Sequence, residues 1–145
     1  MLWFWTSLLA AAMWGLNYAA AEHGLKSGIS GWAQMAFISW VTMPIFTFIA
    51  YKNGSIATSV NLMKENHKLL GWVALVVVCY IFGNIFIYSA IKGKNATSAS
   101  LIEISYPLFI AFFAWAIFRH NQLSMDAVIG GAFILFGIGF MYVEK

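Results

Sequence analysis

Apolar residues run along this chain in long uncharged stretches, separated by short clusters of charge. Residues 1 to 21, 27 to 51, 69 to 91, 104 to 118 and 127 to 143 carry no Asp, Glu, Lys or Arg, and only Glu103 interrupts the stretch from Asn95 to Phe118. A helix that crosses a bilayer needs about 20 mostly apolar residues. The gaps therefore predict five spans, at about 3–21, 30–51, 69–91, 95–118 and 125–143. Trp3, Trp5, Trp32, Tyr51, Trp72, Trp115 and Tyr142 lie toward the ends of those spans, where amphipathic rings favour the headgroup region. The linkers 22–29, 52–68, 92–94 and 119–124 are too short for a second domain, and only 52–68 has room for a small interfacial turn. The predicted fold class is an all-α membrane protein: a single domain over residues 1–145, a five-transmembrane-helix bundle with its N- and C-termini on opposite faces.

Composition points the same way. Hydrophobic residues make up 62% of the chain and charged ones 9%, against roughly 45–50% and 25% in soluble domains, so too little polar surface exists to face water. The first run is read as a span rather than a signal peptide, because no Lys or Arg precedes it and it exceeds the usual length of a signal core. Cys79 stands alone within a span and supports neither a disulfide nor a metal framework. Asn53-Gly54-Ser55 and Asn95-Ala96-Thr97 match the three-residue glycosylation sequon, a pattern common by chance.

Loop charge, which normally sets orientation, is balanced. With five spans one side holds Lys52, Lys64, Lys68 and Arg119, and the other, side B, holds Lys26, Lys92, Lys94 and Lys145. Without a bias of Lys and Arg, insertion in both orientations is the expectation. An inverted pair of identical chains then supplies the inverted repeat on which many transporters are built.

Glu103 is the sole acid deep in any span, since Asp126 stands at the very start of the fifth. Counted from Asn95 it lies roughly 12 Å below the side-B end of the fourth span, near the middle of a core about 30 Å thick. An ionised carboxylate there is costly, and such residues by default mark a pathway, a proton site or a binding site. Pro107 leaves the carbonyl four residues earlier without a donor, and that carbonyl belongs to Glu103. Ala96, Ser100, Glu103, Pro107, Ala111 and Ala114 recur at helical spacing as a small, polar inner face. Leu101, Leu108, Phe112 and Trp115 form a bulky opposite stripe. Other hydrogen-bonding side chains fall at comparable depth: Asn17 and Gln34 roughly 6 Å from side B, Trp14 and Asn84 roughly 10 Å. Tyr80, Asn84 and Tyr88, spaced by four, give the third span a polar and aromatic face. These residues are the candidate substrate or proton site. In the fifth span Ala127, Gly130, Ile134 and Gly137 share a stripe, and Gly130 to Gly137 is a small-to-small spacing suited to close helix packing, so Gly130, Ile134 and Gly137 are the candidate dimer interface.

The order of these features is familiar. Trp14-Gly15-Leu16-Asn17 late in the first span, Pro107 after the Lys92-Gly93-Lys94 turn, and Gly130-Gly131 through Gly137 after Leu123-Ser124 resemble one EamA-like repeat of the drug/metabolite transporter superfamily. The similarity covers nearly the whole chain. It implies transport of a metabolite or drug, with export as the direction. Members usually carry two such repeats, which implies that a one-repeat chain works as a homodimer. Many members have Glu before the Leu-Ser that opens the last helix, where this chain has Asn121. The related four-helix multidrug resistance proteins carry their membrane Glu on the first helix, where this chain has Trp14 and Asn17, so Glu103 is not its positional equivalent.

The function expected is therefore a proton-coupled or exchange transporter in the plasma (inner) membrane, with Glu103 as its central acid and the bilayer, a small molecule, protons and a second copy as partners. A membrane subunit that assists a partner protein without transporting is the alternative. An intramembrane enzyme is disfavoured, since His23, His67 and His120 sit at predicted helix ends without metal-ligand spacing. No cofactor, metal or nucleic acid is expected.

Overall fold

Each long uncharged run folds as helix. The computed structural model describes residues 2–119 and 124–143, and contains seven helices and no strand among them. They are α1 (Leu2–Lys26), α2 (Gly31–Lys52), α3 (Ser55–Glu65), α4 (His67–Gly93), α5 (Ala96–Glu103), α6 (Tyr106–Phe118) and α7 (Met125–Val143). His120, Asn121, Leu123 and Lys145, singled out in the sequence, lie outside the described residues.

Polar side chains set several of the starts. Ser30 Oγ accepts from the Ala33 amide at 3.1 Å, Asn66 Oδ1 from Lys68 at 3.1 Å, and Asn95 Oδ1 from Ser98 at 2.7 Å. Each satisfies an amide that the helix itself leaves without a partner. Gly28 and Gly54 turn the chain in the left-handed region, at φ +94° and +67°.

Four helical stretches are long and apolar enough to cross a membrane: Gly31–Lys52, His67–Gly93, Ala96–Phe118 and Met125–Tyr142. Their length and scarcity of charge are those of an integral membrane protein. The 25 residues of α1 have the length, but Trp3, Trp5, Trp14, Asn17 and Tyr18 lower its hydropathy. Two elements depart from expectation. Residues 52–68 hold an 11-residue helix, α3, rather than a turn. Ile56, Val60 and Met63 recur along it at spacings of four and three, an apolar stripe suited to the membrane surface.

The predicted fourth helix, 95–118, is also not continuous. It ends at Glu103 and restarts at Tyr106, with Pro107 in the first turn of α6. Proline has no N–H for the Glu103 carbonyl, and it is best tolerated where a helix begins. The predicted inner face continues across the break, with Ala96, Ser100 and Glu103 before it and Ala111 and Ala114 after it buried or part-buried, and two residues depart from the pattern. Leu108, placed by spacing on the bulky outer stripe, is part-buried against α7, and Pro107 is exposed.

Consecutive long helices alternate in direction. Gln34 early in α2 meets Ala21 late in α1, and Gly31 and Tyr88 approach where α2 begins and α4 nears its end. Trp72 and Phe118 stack at one end of α4 and α6, with centroids 4.9 Å apart. At the other end Ile91 packs with Ala96 and Ala99. The best-buried cluster is therefore at side B, where Ile91, Ala96 and Ala99 join α4 to α5 and Tyr18, Leu25 and Ile87 close around them. Ala111, Ala114 and Gly131 are buried farther along α6 and α7. A Cβ at Gly131 would collide with a Leu108 methyl, so a glycine there permits the contact. Large apolar side chains elsewhere, such as Trp40 and Phe133, are exposed, as expected of surfaces that lipid covers.

Candidate functional site

Glu103 closes α5 at the break and is part-buried. The Tyr18 hydroxyl donates a hydrogen bond to its Oε1 at 2.9 Å. Helix geometry brings the two together. Side chains lean toward the N-terminus of their own helix, and α1 and α5 run in opposite directions, so the phenol leans into the membrane while the carboxylate leans back to meet it. The Trp14 ring lies against Tyr18, with centroids 5.9 Å apart and planes tilted by 46°. Tyr88 and Tyr106 are the other phenols near enough to act electrostatically on Tyr18.

One turn beyond Tyr18, Glu22 makes a second bridge to α5. Its Oε2 accepts from the Ala96 amide at 2.7 Å, at the N-terminal end of that helix, and its Oε1 pairs with Lys26. A carboxylate at a helix N-terminus is favourably placed. Glu22 lies past the end of the predicted first span, and the Lys26 hydrogen bond, helped by the Ala96 amide, holds it below the usual carboxylate range.

The residues singled out from sequence divide into two groups. Glu103, Trp14 and Ser100 lie on the facing elements α1 and α5; Ser100 Oγ donates to the Thr97 carbonyl of its own helix at 3.1 Å. Tyr80, Asn84 and Tyr88 line clefts between α2 and α4, and Asn84 Nδ2 donates to the Tyr80 carbonyl at 2.8 Å. Tyr88 is buried between the groups. Gln34 joins neither, since its Nε2 donates to the Ala21 carbonyl at 3.2 Å and ties α2 to α1. Gly24 allows this approach, because a Cβ there would lie 2.8 Å from that nitrogen. Asn17 is on an exposed face of α1. Pro107 shapes the break without lining the pair.

Tyr18 and Glu22 were missed by sequence reasoning. The available signal was their spacing: Trp14, Tyr18 and Glu22 follow one another at intervals of four, which puts them on one face. On α7, Gly130 and Gly137 have open space where a Cβ would be, whereas Gly131 and Ile134 turn inward. Among the described residues no group of His, Cys, Asp or Glu is arranged to hold a metal ion.

Comparison with curated proteins and with solved structures gave no match. Comparison with protein families gave one that spans nearly the whole chain, the EamA-like transporter family, over residues 1–143. The chain thus belongs to the EamA-like transporter family, within the drug/metabolite transporter superfamily.

Proposed function

We propose that the chain is a single five-span domain over residues 1–145 that exports a small molecule across the plasma (inner) membrane as an inverted homodimer, with Glu103 exchanging a proton for substrate. The observation that carries this reading is the Tyr18 hydroxyl on the Glu103 carboxylate at 2.9 Å, at the point where the helix breaks. The phenol is a donor that a substrate cation or amine can replace, and deep membrane carboxylates commonly serve proton relays. Substrate and proton then compete for one acid. The break between α5 and α6 is the place where the backbone gives as access alternates, as in transporters with discontinuous helices. Packing of α1 against α2, α4 and α5 supports its role as the fifth span, which puts the termini on opposite faces. Gly130 and Gly137, open toward the outside of α7, are the surface assigned to the second copy, and Ile134, which turns inward, is not part of it.

The test is transport in proteoliposomes over a panel of amines, amino acids and drugs, with and without a pH gradient. Glu103→Gln is expected to reduce gradient-driven transport by about tenfold or more, equivalent to at least 1.4 kcal/mol. Tyr18→Phe keeps the acid and loses the donor, so it retains transport with an altered pH profile. If Glu103→Gln transports like the wild type with the same pH dependence, the acid only bonds helices together. If no substrate moves in any chain, the non-transporting subunit takes the place of this reading.

A further inference from the structure

The two clefts between α2 and α4, of about 270 and 400 Å³, share Trp32, Met35 and Ile85 and so form one groove along the bundle. On α4 the groove runs from Tyr80 to Lys92, which is about 18 Å at the rise of a helix. That is close to the depth of one leaflet, about 15 Å of hydrocarbon plus the start of the headgroups. The inner stretch is lined largely by apolar side chains. The outer stretch carries Ser30, Ser89 and Lys92.

Lys92 is the charged residue of the groove. It lies in the last turn of α4 and has no ion-pair partner among the described residues, in contrast to Lys26, which is paired with Glu22. An unpaired cation at headgroup level, beside the exposed Ser30 and Ser89, and an apolar groove one leaflet deep match two parts of an anionic phospholipid: its phosphate and an acyl chain.

We propose that the α2–α4 groove binds an anionic glycerophospholipid from the side-B leaflet, with its phosphate on Lys92 and Ser89 and an acyl chain along Trp32, Met35 and Ile85. The site is separate from Glu103, so the proposal holds or fails independently of the transport reading. A second copy is not assigned here, because the outward glycines are on α7. One basic residue at a membrane surface contributes about 1 kcal/mol toward an anionic lipid, which is about a fivefold preference.

The full-length chain is reconstituted in vesicles with brominated phosphatidylglycerol or brominated phosphatidylcholine, whose bromines quench tryptophan on contact. The difference between wild type and Trp32→Phe isolates the Trp32 signal. The phosphatidylglycerol is expected to quench Trp32 with about fivefold higher apparent affinity. Lys92→Ala should lose this preference, and Lys94→Ala, exposed and outside the groove, should keep it. Equal quenching by the two lipids overturns the proposal, as does a preference that survives Lys92→Ala or also disappears in Lys94→Ala. Absence of quenching by either lipid means that protein covers the groove and overturns it as well. If Trp32→Phe does not insert, phospholipid co-purifying with the wild type and Lys92→Ala gives the second reading: phosphatidylglycerol enriched in the first and not the second supports the site, and equal enrichment refutes it.

Discussion

Tyr18 and Glu22 reach α5 from one face of α1, a turn apart, and they do different work. The Tyr18–Glu103 bond is deep and faces the helix break. The Glu22 bridge lies near side B and holds the start of α5 through the Ala96 amide. Because Lys26 and that amide depress the Glu22 carboxyl in the folded chain, its contribution to stability is fully present above the unfolded value of about 4.3. That contribution is lost as pH falls through the lower, folded value. Unfolding followed from about pH 7 to about pH 3 should therefore show an acid-side loss of stability in the wild type that is smaller in Glu22→Gln. An identical acid limb in both chains would mean that the bridge adds nothing. Glu103 was legible in the sequence because an acid in an uncharged run stands out whatever its neighbours. Its partner was not, because Tyr18 is one of several tyrosines in or near the spans, and spacing within α1 cannot say whether the Asn17 face or the Tyr18 face turns inward. Gln34 shows the same limit from the other side. It was read as a hydrogen-bonding side chain of the candidate site, and the structure gives it the Ala21 carbonyl as partner.

Most helices were legible because lipid demands long uncharged runs and charge marks where they stop. The starts of α2, α4 and α5 fall within two residues of prediction, at Gly31, His67 and Ala96. What charge gaps do not encode is a break inside an apolar run. Between Glu103 and Tyr106 the cause is local, since position 107 has no N–H to give. Pro107→Ala supplies that N–H, and the expected result is one continuous helix from Ala96 to Phe118. Chain stability should rise by about 1 kcal/mol for the regained hydrogen bond, read from the unfolding midpoint in detergent. Under the proposed mechanism transport should slow, because the point of give is gone. A more stable chain with undiminished transport would show that the break plays no part in alternation. The linker helix α3 was less legible, since its charged and polar residues resemble a loop until Ile56, Val60 and Met63 are seen on one stripe.

The bundle holds its best packing at side B, where α1, α4 and α5 converge, and offers outward glycines on α7. In the proposed homodimer an inverted second copy would meet these outward glycines. In that arrangement each Glu103, roughly 12 Å from opposite faces of a core about 30 Å thick, lies within about 6 Å of the other in depth. The arrangement requires that the chain insert both ways, which the equal numbers of Lys and Arg on the two sides favour. Single cysteines placed at Lys26, Asn53 and Lys94, in a background with Cys79→Ser, can be labelled by an impermeant thiol reagent from either side of intact cells or vesicles. Each position should label from both sides in comparable amounts. Adding two lysines beside Asn53 should bias the chain to one orientation, and transport should fall with the loss of inverted pairs. Co-expression with a chain biased the other way, by lysines added beside Lys94, should restore it. Labelling of each site from one side only in the unmodified chain would remove the antiparallel dimer, and with it the pairing of the two carboxylates across the midplane.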